Sequence, residues 1–263
     1  MEILVCIKQV PDDAVAVHLK PGTQEVELEG VTPVVNAFDT YALEMAARLK
    51  EAVGGTITVI TVGDEETKAS IKNCLAVGAD HGFVLHDSSF AGTDTLGRSQ
   101  ILAAAVRYLE KDSGKPFDLV FCGREATDHV NGQVGSQLAE TLGTGVITDL
   151  VDVEKTDTGV CCKQQTEDGY RRVESPLPCV VTVSKPEYDP RYPTIRSKLA
   201  ARKMTIPVVT KEQLGDVSVR KPGFHIVQTF EPQKRQAGVK LQEKNVEDTV
   251  RKAIGMMADA KLL

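Results

Sequence analysis

The chain opens with Ile3-Leu4-Val5-Cys6-Ile7, a run of apolar and largely β-branched residues that is typical of a strand buried on both faces. Comparable runs recur at residues 57–62, 82–85 and 119–122. Amphipathic stretches of helical spacing alternate with them, at residues 40–51, 65–77, 96–110 and 133–142. This alternation predicts an α/β fold in which crossover helices flank a Rossmann-like parallel sheet.

Residues that start and stop helices fall at the ends of these stretches. Asn36 and Asp39, three residues apart, are spaced as in a capping box, and Gly63-Asp64 precedes the second helix. Gly78 and Gly143 stand where the second and fourth helices should end. These local signals therefore agree with the pattern of strands and helices.

The pattern changes after Gly145. Short β-like runs follow at residues 150–154, 160–164, 170–173 and 180–183, with turn residues between them, and predict an antiparallel addition to the sheet. Residues 186–204 contain Pro and Tyr and become basic, and the remainder is irregular apart from a helical stretch at 246–258. We predict an α/β domain over residues 1–205 and an extended C-terminal arm over residues 206–263, which needs another surface to pack on.

Composition limits the classes of function. The chain has 263 residues, 41% of them hydrophobic, a formal net charge of −6 and a pI near 5.5. Such a chain fills a core, and its acidity argues against nucleic-acid binding, which needs an excess of Lys and Arg. No apolar run is long enough to span a membrane, no targeting signal follows Met1, and the six cysteines form no C-x-x-C pair. We therefore expect a cytoplasmic protein with reduced thiols and no membrane insertion.

The loops after the parallel strands are where a ligand should bind, because ligands of such sheets lie at the carboxyl ends of the strands. The richest loop is 123–136, which offers two glycines, amide and hydroxyl side chains and the start of a helix at Gln133. It could hold a nucleotide phosphate or be an ordinary loop with a capped helix, and its residues alone allow both readings. No G-x-G-x-x-G follows the first strand and no Walker loop is present.

Catalytic and metal-binding patterns are absent from the sequence. His81, His86 and His129 do not have the spacing of metal ligands, and Ser99 and Ser136 lie in no G-x-S-x-G motif. We therefore predict no catalytic residue and no metal. That absence suits a protein whose cofactor carries the redox chemistry while the chain binds and orients it.

Several blocks resemble those of electron transfer flavoprotein β-subunits, in the same order along the chain. They are Val5-Cys6-Ile7-Lys8-Gln9-Val10-Pro11-Asp12, Asn36-Ala37-Phe38-Asp39-Thr40-Tyr41-Ala42-Leu43-Glu44, Leu75-Ala76-Val77-Gly78-Ala79-Asp80, the loop 123–135, Pro176-Leu177-Pro178-Cys179-Val180-Val181-Thr182-Val183, Asp189-Pro190-Arg191-Tyr192-Pro193-Thr194-Ile195 and Gln236-Ala237-Gly238-Val239-Lys240. Together these blocks span nearly the whole chain.

The resemblance implies a heterodimer with a larger α-subunit, over which the arm would reach, and a nucleotide in the crevice at the strand ends. The expected nucleotide-binding residues are Cys6, Val62, Asp94, Thr95, Asp128, Asn131, Gly132, Gln133 and Val134. Gln133-Val134-Gly135 is similar to the form that holds FAD, so we expect FAD; the alternative is a structural AMP beside one FAD held mainly by the α-subunit. Residues 128–132 depart from the pattern of members that bifurcate electrons from NADH.

Residues 186–204 resemble the recognition loop with which this family docks on acyl-CoA dehydrogenases. Ile195 would be the apolar anchor, and Arg191, Tyr192 and Arg196 would surround it. Without the resemblance, the same residues would be read as a solvated basic loop. The implied function is electron transfer between NADH or another donor and an acyl-CoA dehydrogenase or enoyl-CoA reductase. A stand-alone nucleotide hydrolase or ligase is disfavoured by the missing phosphate loop.

Overall fold

A sheet of nine strands forms the centre of the chain in a computed structural model, which describes residues 1–215, 217, 222–233 and 237–263. The strands are β1 (Glu2–Ile7), β2 (Gln9–Pro11), β3 (His18–Leu19), β4 (Val26–Glu27), β5 (Pro33–Val35), β6 (Thr56–Val62), β7 (His81–Leu85), β8 (Leu119–Gly123), β9 (Gly145–Lys155), β10 (Gly159–Thr166), β11 (Gly169–Pro176), β12 (Cys179–Val183) and β13 (Val208–Val209). The helices are α1 (Ala37–Val53), α2 (Lys68–Ala76), α3 (Thr95–Ser113), α4 (Val134–Leu142), α5 (Ile195–Lys203), α6 (Lys211–Leu214) and α7 (Val246–Asp259).

The strand order of the central sheet is β11-β10-β9-β12-β8-β1-β6-β7-β13. In this spatial order, the seven strands β9-β12-β8-β1-β6-β7-β13 are all parallel to one another. Strand β10 pairs antiparallel with β9 and with β11. The chain runs from β1 to β6 and β7 on one side and then returns to β8 on the other side of β1. The predicted α/β fold, with a parallel sheet and an antiparallel addition, is confirmed, and its topological switch lies between β1 and β8.

Strand β12 corrects one part of the prediction. The run at residues 180–183 was expected in the antiparallel addition, but it lies in parallel between β8 and β9, with Val180 opposite both Val120 and Val146. All five residues of β12 are buried, as in strands covered on both faces, whereas β11 is largely exposed. Apolar runs specify burial, but the long-range pairing specifies the direction of the strand.

The core has one layer on each face of the sheet, because successive strand residues point to opposite faces. Ile3, Val5 and Ile7 of β1 pack on the same side as α1 and α2. Leu4 and Cys6 pack on the other side, with α3 and α4. In the central strands, this double cover leaves the strand ends as the part of the sheet nearest the surface.

Two expectations about helix ends have different outcomes. Gly143 adopts a left-handed conformation (φ 72°) and ends α4, as predicted. Asn36 precedes α1, but its side chain makes no capping bond, so the predicted capping box with Asp39 is wrong. Both side chains instead bind backbone groups of neighbouring strand-end loops.

The C-terminal region begins within the sheet. Val208 and Val209 of β13 pair with Val84 and Leu85 of β7, so this part of the expected arm belongs to the globular body. Beyond it, hydrogen bonds from Leu19 N to Glu231 Oε1 and from Thr229 N to Gln24 Oε1 hold the arm beside the hairpin of β3 and β4. Gln236, in one of the quoted sequence blocks, lies outside the described residues. Across the described ranges, no helix has the length and apolarity needed to cross a membrane.

Candidate functional site

A crevice of about 720 Å³ opens at the carboxyl ends of β1, β6 and β8, next to the topological switch. Its volume falls within the range of roughly 300–1,000 Å³ that is typical of small-molecule sites. The floor contains Cys6 and Cys122, which lie opposite each other on the neighbouring strands β1 and β8. One wall is formed by Pro222, Phe224 and Ile226 of the arm. Sheet, helix starts and arm therefore converge on one cavity.

Eight of the nine expected nucleotide-binding residues line this crevice: Cys6, Val62, Asp94, Thr95, Asn131, Gly132, Gln133 and Val134. The ninth, Asp128, binds a lining residue instead, because Lys8 Nζ donates to both of its carboxylate oxygens at 2.7 and 2.6 Å. The fold thus brings together residues that are up to 128 positions apart in the sequence.

Asp39 holds the floor of the crevice together. Its carboxylate accepts hydrogen bonds from Lys8 N at 2.7 Å and from Gly123 N at 3.1 Å, which joins the start of α1 to the ends of β1 and β8. Burial raises the pKa of this carboxyl from 3.8 to about 7, although the two amide hydrogen bonds and Lys8 act in the opposite direction. The floor therefore contains an acid whose charge changes near neutral pH.

The starts of α3 and α4 lie side by side at the crevice. Thr95 Oγ1 donates to Gln133 Oε1 at 2.7 Å, and Ser99 Oγ is 3.1 Å from Val134 O. Gly135 lets the start of α4 pack closely on β12, because a Cβ atom there would collide with the side chain of Thr182. The starts of two helices therefore meet at the same edge of the crevice, where an anion is favoured.

The loop before α4 contains an unusual backbone conformation. Val130 has φ 50° and Gly132 has φ 61°, both in the left-handed region. Glycine adopts this conformation readily, whereas a β-branched residue there costs on the order of 1–3 kcal/mol. Such strain is most often retained where a loop has a function.

The sequence analysis missed Arg98, which lines the crevice from the first turns of α3. Removal from water lowers the pKa of its guanidinium below the ordinary value. The sequence carries a signal for this residue, since a cation close to a helix start is disfavoured by the helix dipole. Gln9 was also missed; its buried Oε1 atom accepts no hydrogen bond from any described residue.

The cysteines do not form an oxidising or metal-binding centre in the described part of the chain. All six are free and buried, which includes the adjacent Cys161 and Cys162 of β10. The hydrogen bond with Cys122, together with burial, raises the pKa of the Cys6 thiol. No group of three or more His, Cys, Asp or Glu side chains is placed to hold a metal among the described residues.

The expected docking segment, residues 186–204, is half helical. Thr194 and Ser197 form a capping box that starts α5 at Ile195, which was expected in a loop. Ile195 is 82% exposed and Tyr192 is 91% exposed, and Arg196 is exposed as well. Leu199, one turn after Ile195 and 53% exposed, extends the apolar patch and was not singled out from the sequence.

Arg191 is bound within the chain. Its guanidinium donates to Glu44 Oε2 at 2.7 Å and also pairs with Glu51, both on α1. Burial alone would raise the pKa of Glu44, but hydrogen bonds from Arg191 and Arg48 outweigh it and lower that pKa. Arg191 therefore anchors the segment to α1.

Comparison with known proteins identifies the family of the chain. The family described as the electron transfer flavoprotein domain matches residues 26–214. The chain is 36% identical over 260 residues to the electron transfer flavoprotein subunit beta of Megasphaera elsdenii, which covers 97% of this chain and 95% of the relative. The chain belongs to the electron transfer flavoprotein β-subunit family.

Two further proteins that the chain resembles are named as subunits that belong to reductases. The caffeyl-CoA reductase–Etf complex subunit CarD of Acetobacterium woodii is 38% identical over 216 residues, 82% of this chain and 80% of the relative. The acryloyl-CoA reductase electron transfer subunit gamma of Anaerotignum propionicum is 32% identical over 265 residues, 96% of this chain and 97% of the relative. Membership in the family assigns the chain a role in electron transfer with a partner.

Proposed function

We propose that this chain is the nucleotide-binding β-subunit of a heterodimer that passes electrons between NADH or another donor and an acyl-CoA dehydrogenase or enoyl-CoA reductase. The observation that carries the proposal is the crevice beside the switch between β1 and β8, lined by eight residues singled out from sequence for a nucleotide. Reductase complexes among the named relatives support the class of acceptor.

The residues of the crevice fit a nucleotide. The buried, unsatisfied Oε1 of Gln9 can accept a hydrogen bond from a base amino group or a ribose hydroxyl. Asn131, Gly132 and Gln133 offer amide donors near the start of α4. A bound flavin would supply the redox chemistry, and the chain would bind it, orient it and exclude water.

We favour FAD over AMP in this crevice, on the sequence Gln133-Val134-Gly135. Its volume of about 720 Å³ and its extension to Phe224 and Ile226 of the arm support a ligand longer than a mononucleotide. AMP is the alternative, in which this subunit supplies structure and docking and the only redox FAD lies mainly on the α-subunit.

The exposed segment around α5 is the proposed contact with the dehydrogenase or reductase. The side chains of Ile195, Leu199 and Tyr192 are exposed on this segment, which also carries the exposed basic residues Arg196 and Lys198. An aliphatic anchor in an apolar pocket with a charged rim is a common energetic centre of protein interfaces. Arg191 holds this patch in place through Glu44 and Glu51 and does not contribute a free charge to it.

The C-terminal helix supports the assignment of an α-subunit as permanent partner. Val246, Val250, Ile254 and Met257 of α7 follow helical spacing and are all exposed. An apolar stripe of this kind is stable when another surface covers it. We assign that surface to the α-subunit.

Released-cofactor analysis of the purified heterodimer tests the proposal. The chain is co-expressed with its α-subunit, the complex is denatured, and FAD and AMP are counted per dimer by chromatography and mass spectrometry. Two FAD and no AMP support a flavin in this crevice. One FAD and one AMP would select the alternative, and no nucleotide attributable to this chain would contradict nucleotide binding altogether.

A further inference from the structure

Three Lys or Arg side chains from the described ranges line the crevice, and two of them are already paired. Lys8 binds Asp128 at 2.6 Å, and Arg124 Nε is 3.5 Å from Asp149 Oδ1 and 3.9 Å from Glu125 Oε1. The side chain of Arg98 has no hydrogen bond, ion pair or ring contact with any residue that the structure describes. Of these three cations, it is therefore the one whose charge remains available to a ligand.

The position of Arg98 is unfavourable for a cation in the ligand-free protein. It lies four residues after Asp94, the residue that caps α3, close to the positive end of that helix. Half-burial in the crevice removes water from its guanidinium, and this desolvation lowers its pKa. Two independent effects thus disfavour the charge, and no described carboxylate offsets them.

The surroundings of Arg98 indicate which kind of ligand would offset the helix dipole and the desolvation. Thr95, one turn earlier, is bound to Gln133 at 2.7 Å, so Arg98 lies beside the junction of α3 and α4. The nearby Asp94 carboxylate accepts hydrogen bonds from Gly97 N and Gly223 N at 2.9 Å each and forms no ion pair with Arg98. An anion placed there would meet the Arg98 fork and the amides of two helix starts.

We propose that Arg98 binds a phosphate group of the nucleotide in this crevice. The inference rests on the proposed function, because it assumes that a nucleotide occupies the site. In both the phosphate of AMP and the pyrophosphate of FAD, two oxygens of one phosphate group can accept hydrogen bonds from the same guanidinium. Arg98 therefore recognises the anionic part of the ligand, independently of the group attached beyond it.

Calorimetric titration of the ligand-free full chain with AMP and with adenosine tests the role of Arg98. Adenosine has the same base and ribose and lacks the phosphate. We expect Arg98→Gln to weaken AMP binding by about tenfold to hundredfold, as for loss of a charge-assisted contact, and to leave adenosine binding unchanged. Arg98→Lys should be intermediate, since it restores charge without the fork. FAD titration shows whether the same contact serves the pyrophosphate.

The control is Arg107→Gln, on the same helix and exposed outside the crevice, where its side chain donates to Thr141 O. It removes the same charge and should leave the affinity for AMP unchanged. The melting temperature of ligand-free Arg98→Gln should equal or exceed that of the wild type, because an unpaired, desolvated cation has been removed.

The results separate this inference from the proposed function. If the wild type binds AMP and Arg98→Gln binds it within twofold, the assignment of Arg98 is wrong and the nucleotide site stands. Equal weakening of AMP and adenosine with a lower melting temperature would overturn it in favour of a structural role. If the wild type binds neither AMP, FAD nor adenosine, the proposed function fails and this inference fails with it.

Discussion

The free energy of unfolding of the wild type should fall as the pH rises, because Asp39 ionises. In the variant Asp39→Asn, this contribution should be absent. The carboxyl of Asp39 is buried, and its pKa in the folded chain is about 7, against 3.8 when burial is absent. Below pH 4 both states are protonated, and above pH 7 both are ionised. Between these values the folded state binds the extra proton, so the free energy of unfolding falls as the pH rises.

The expected size follows from the two pKa values. Each pH unit in this window changes the free energy of unfolding by about 1.4 kcal/mol, which amounts to about 4 kcal/mol between pH 4 and pH 7. The amide introduced by Asp39→Asn cannot ionise, and the hydrogen bond that it fails to make to Lys8 N or Gly123 N costs a similar amount at every pH. The difference in stability between wild type and Asp39→Asn should therefore shrink, and then change in favour of the variant, as the pH rises.

Equilibrium urea unfolding at pH 5, 6, 7 and 8 measures this difference. Asp118→Asn is a matched control, because Asp118 also accepts a backbone hydrogen bond, from Glu2 N at 2.7 Å, but is only partly buried. A difference between wild type and Asp39→Asn that stays constant, or that grows with pH, would refute the reasoning. It would mean that the two amide hydrogen bonds outweigh burial and keep Asp39 ionised.

Three further predictions concern the crevice and the docking segment. Gly135→Ala should displace the start of α4 from Thr182 and lower the nucleotide content per heterodimer, whereas Gly145→Ala, whose Cβ would lie 3.6 Å from Ser175 Oγ, should leave it unchanged. Ile195→Ala should slow electron delivery to the acceptor enzyme in stopped-flow assays and leave flavin content and melting temperature intact; loss of flavin would contradict the docking assignment. Arg191→Ala should destabilise the chain by about 2 kcal/mol in urea unfolding, because buried Glu44 loses a partner, while exposed Arg196→Ala should change stability by less than about 0.5 kcal/mol.

The strands and helices that build the sheet could be predicted because their signals are local. The buried runs of β1, β6 and β8 are apolar and β-branched, and Gly143 ends α4 through a conformation that glycine adopts at little cost. The loop from Gly123 to α4 could be found in the same way, because ligands of parallel sheets bind at the carboxyl ends of strands. Eight of the nine residues that the family resemblance implied for the nucleotide line the crevice at these strand ends.

Other features depend on contacts between distant parts of the chain. The apolar sequence of β12 specifies a buried strand, but pairing with β8 and β9 sets its parallel direction. Asp39 has the spacing of a helix-capping partner, yet Lys8 N and Gly123 N, 31 and 84 residues away, are its partners. Arg191 belongs by sequence to a basic segment, and its pairing with Glu44, 147 residues away, makes it an anchor.

The sequence by itself determined the family, the α/β architecture and the set of loops in which a nucleotide could bind. Periodicity and motifs depend on residues that are close together in the sequence, so they can be recognised without the fold. Only the tertiary structure decided which charged side chains around the crevice are unpaired. Lys8 and Arg124 meet carboxylates from other segments, whereas Arg98 meets none among the described residues. Pairing of charges depends on distances across the fold and on the exclusion of water, and neither quantity is encoded by the order of residues within one segment.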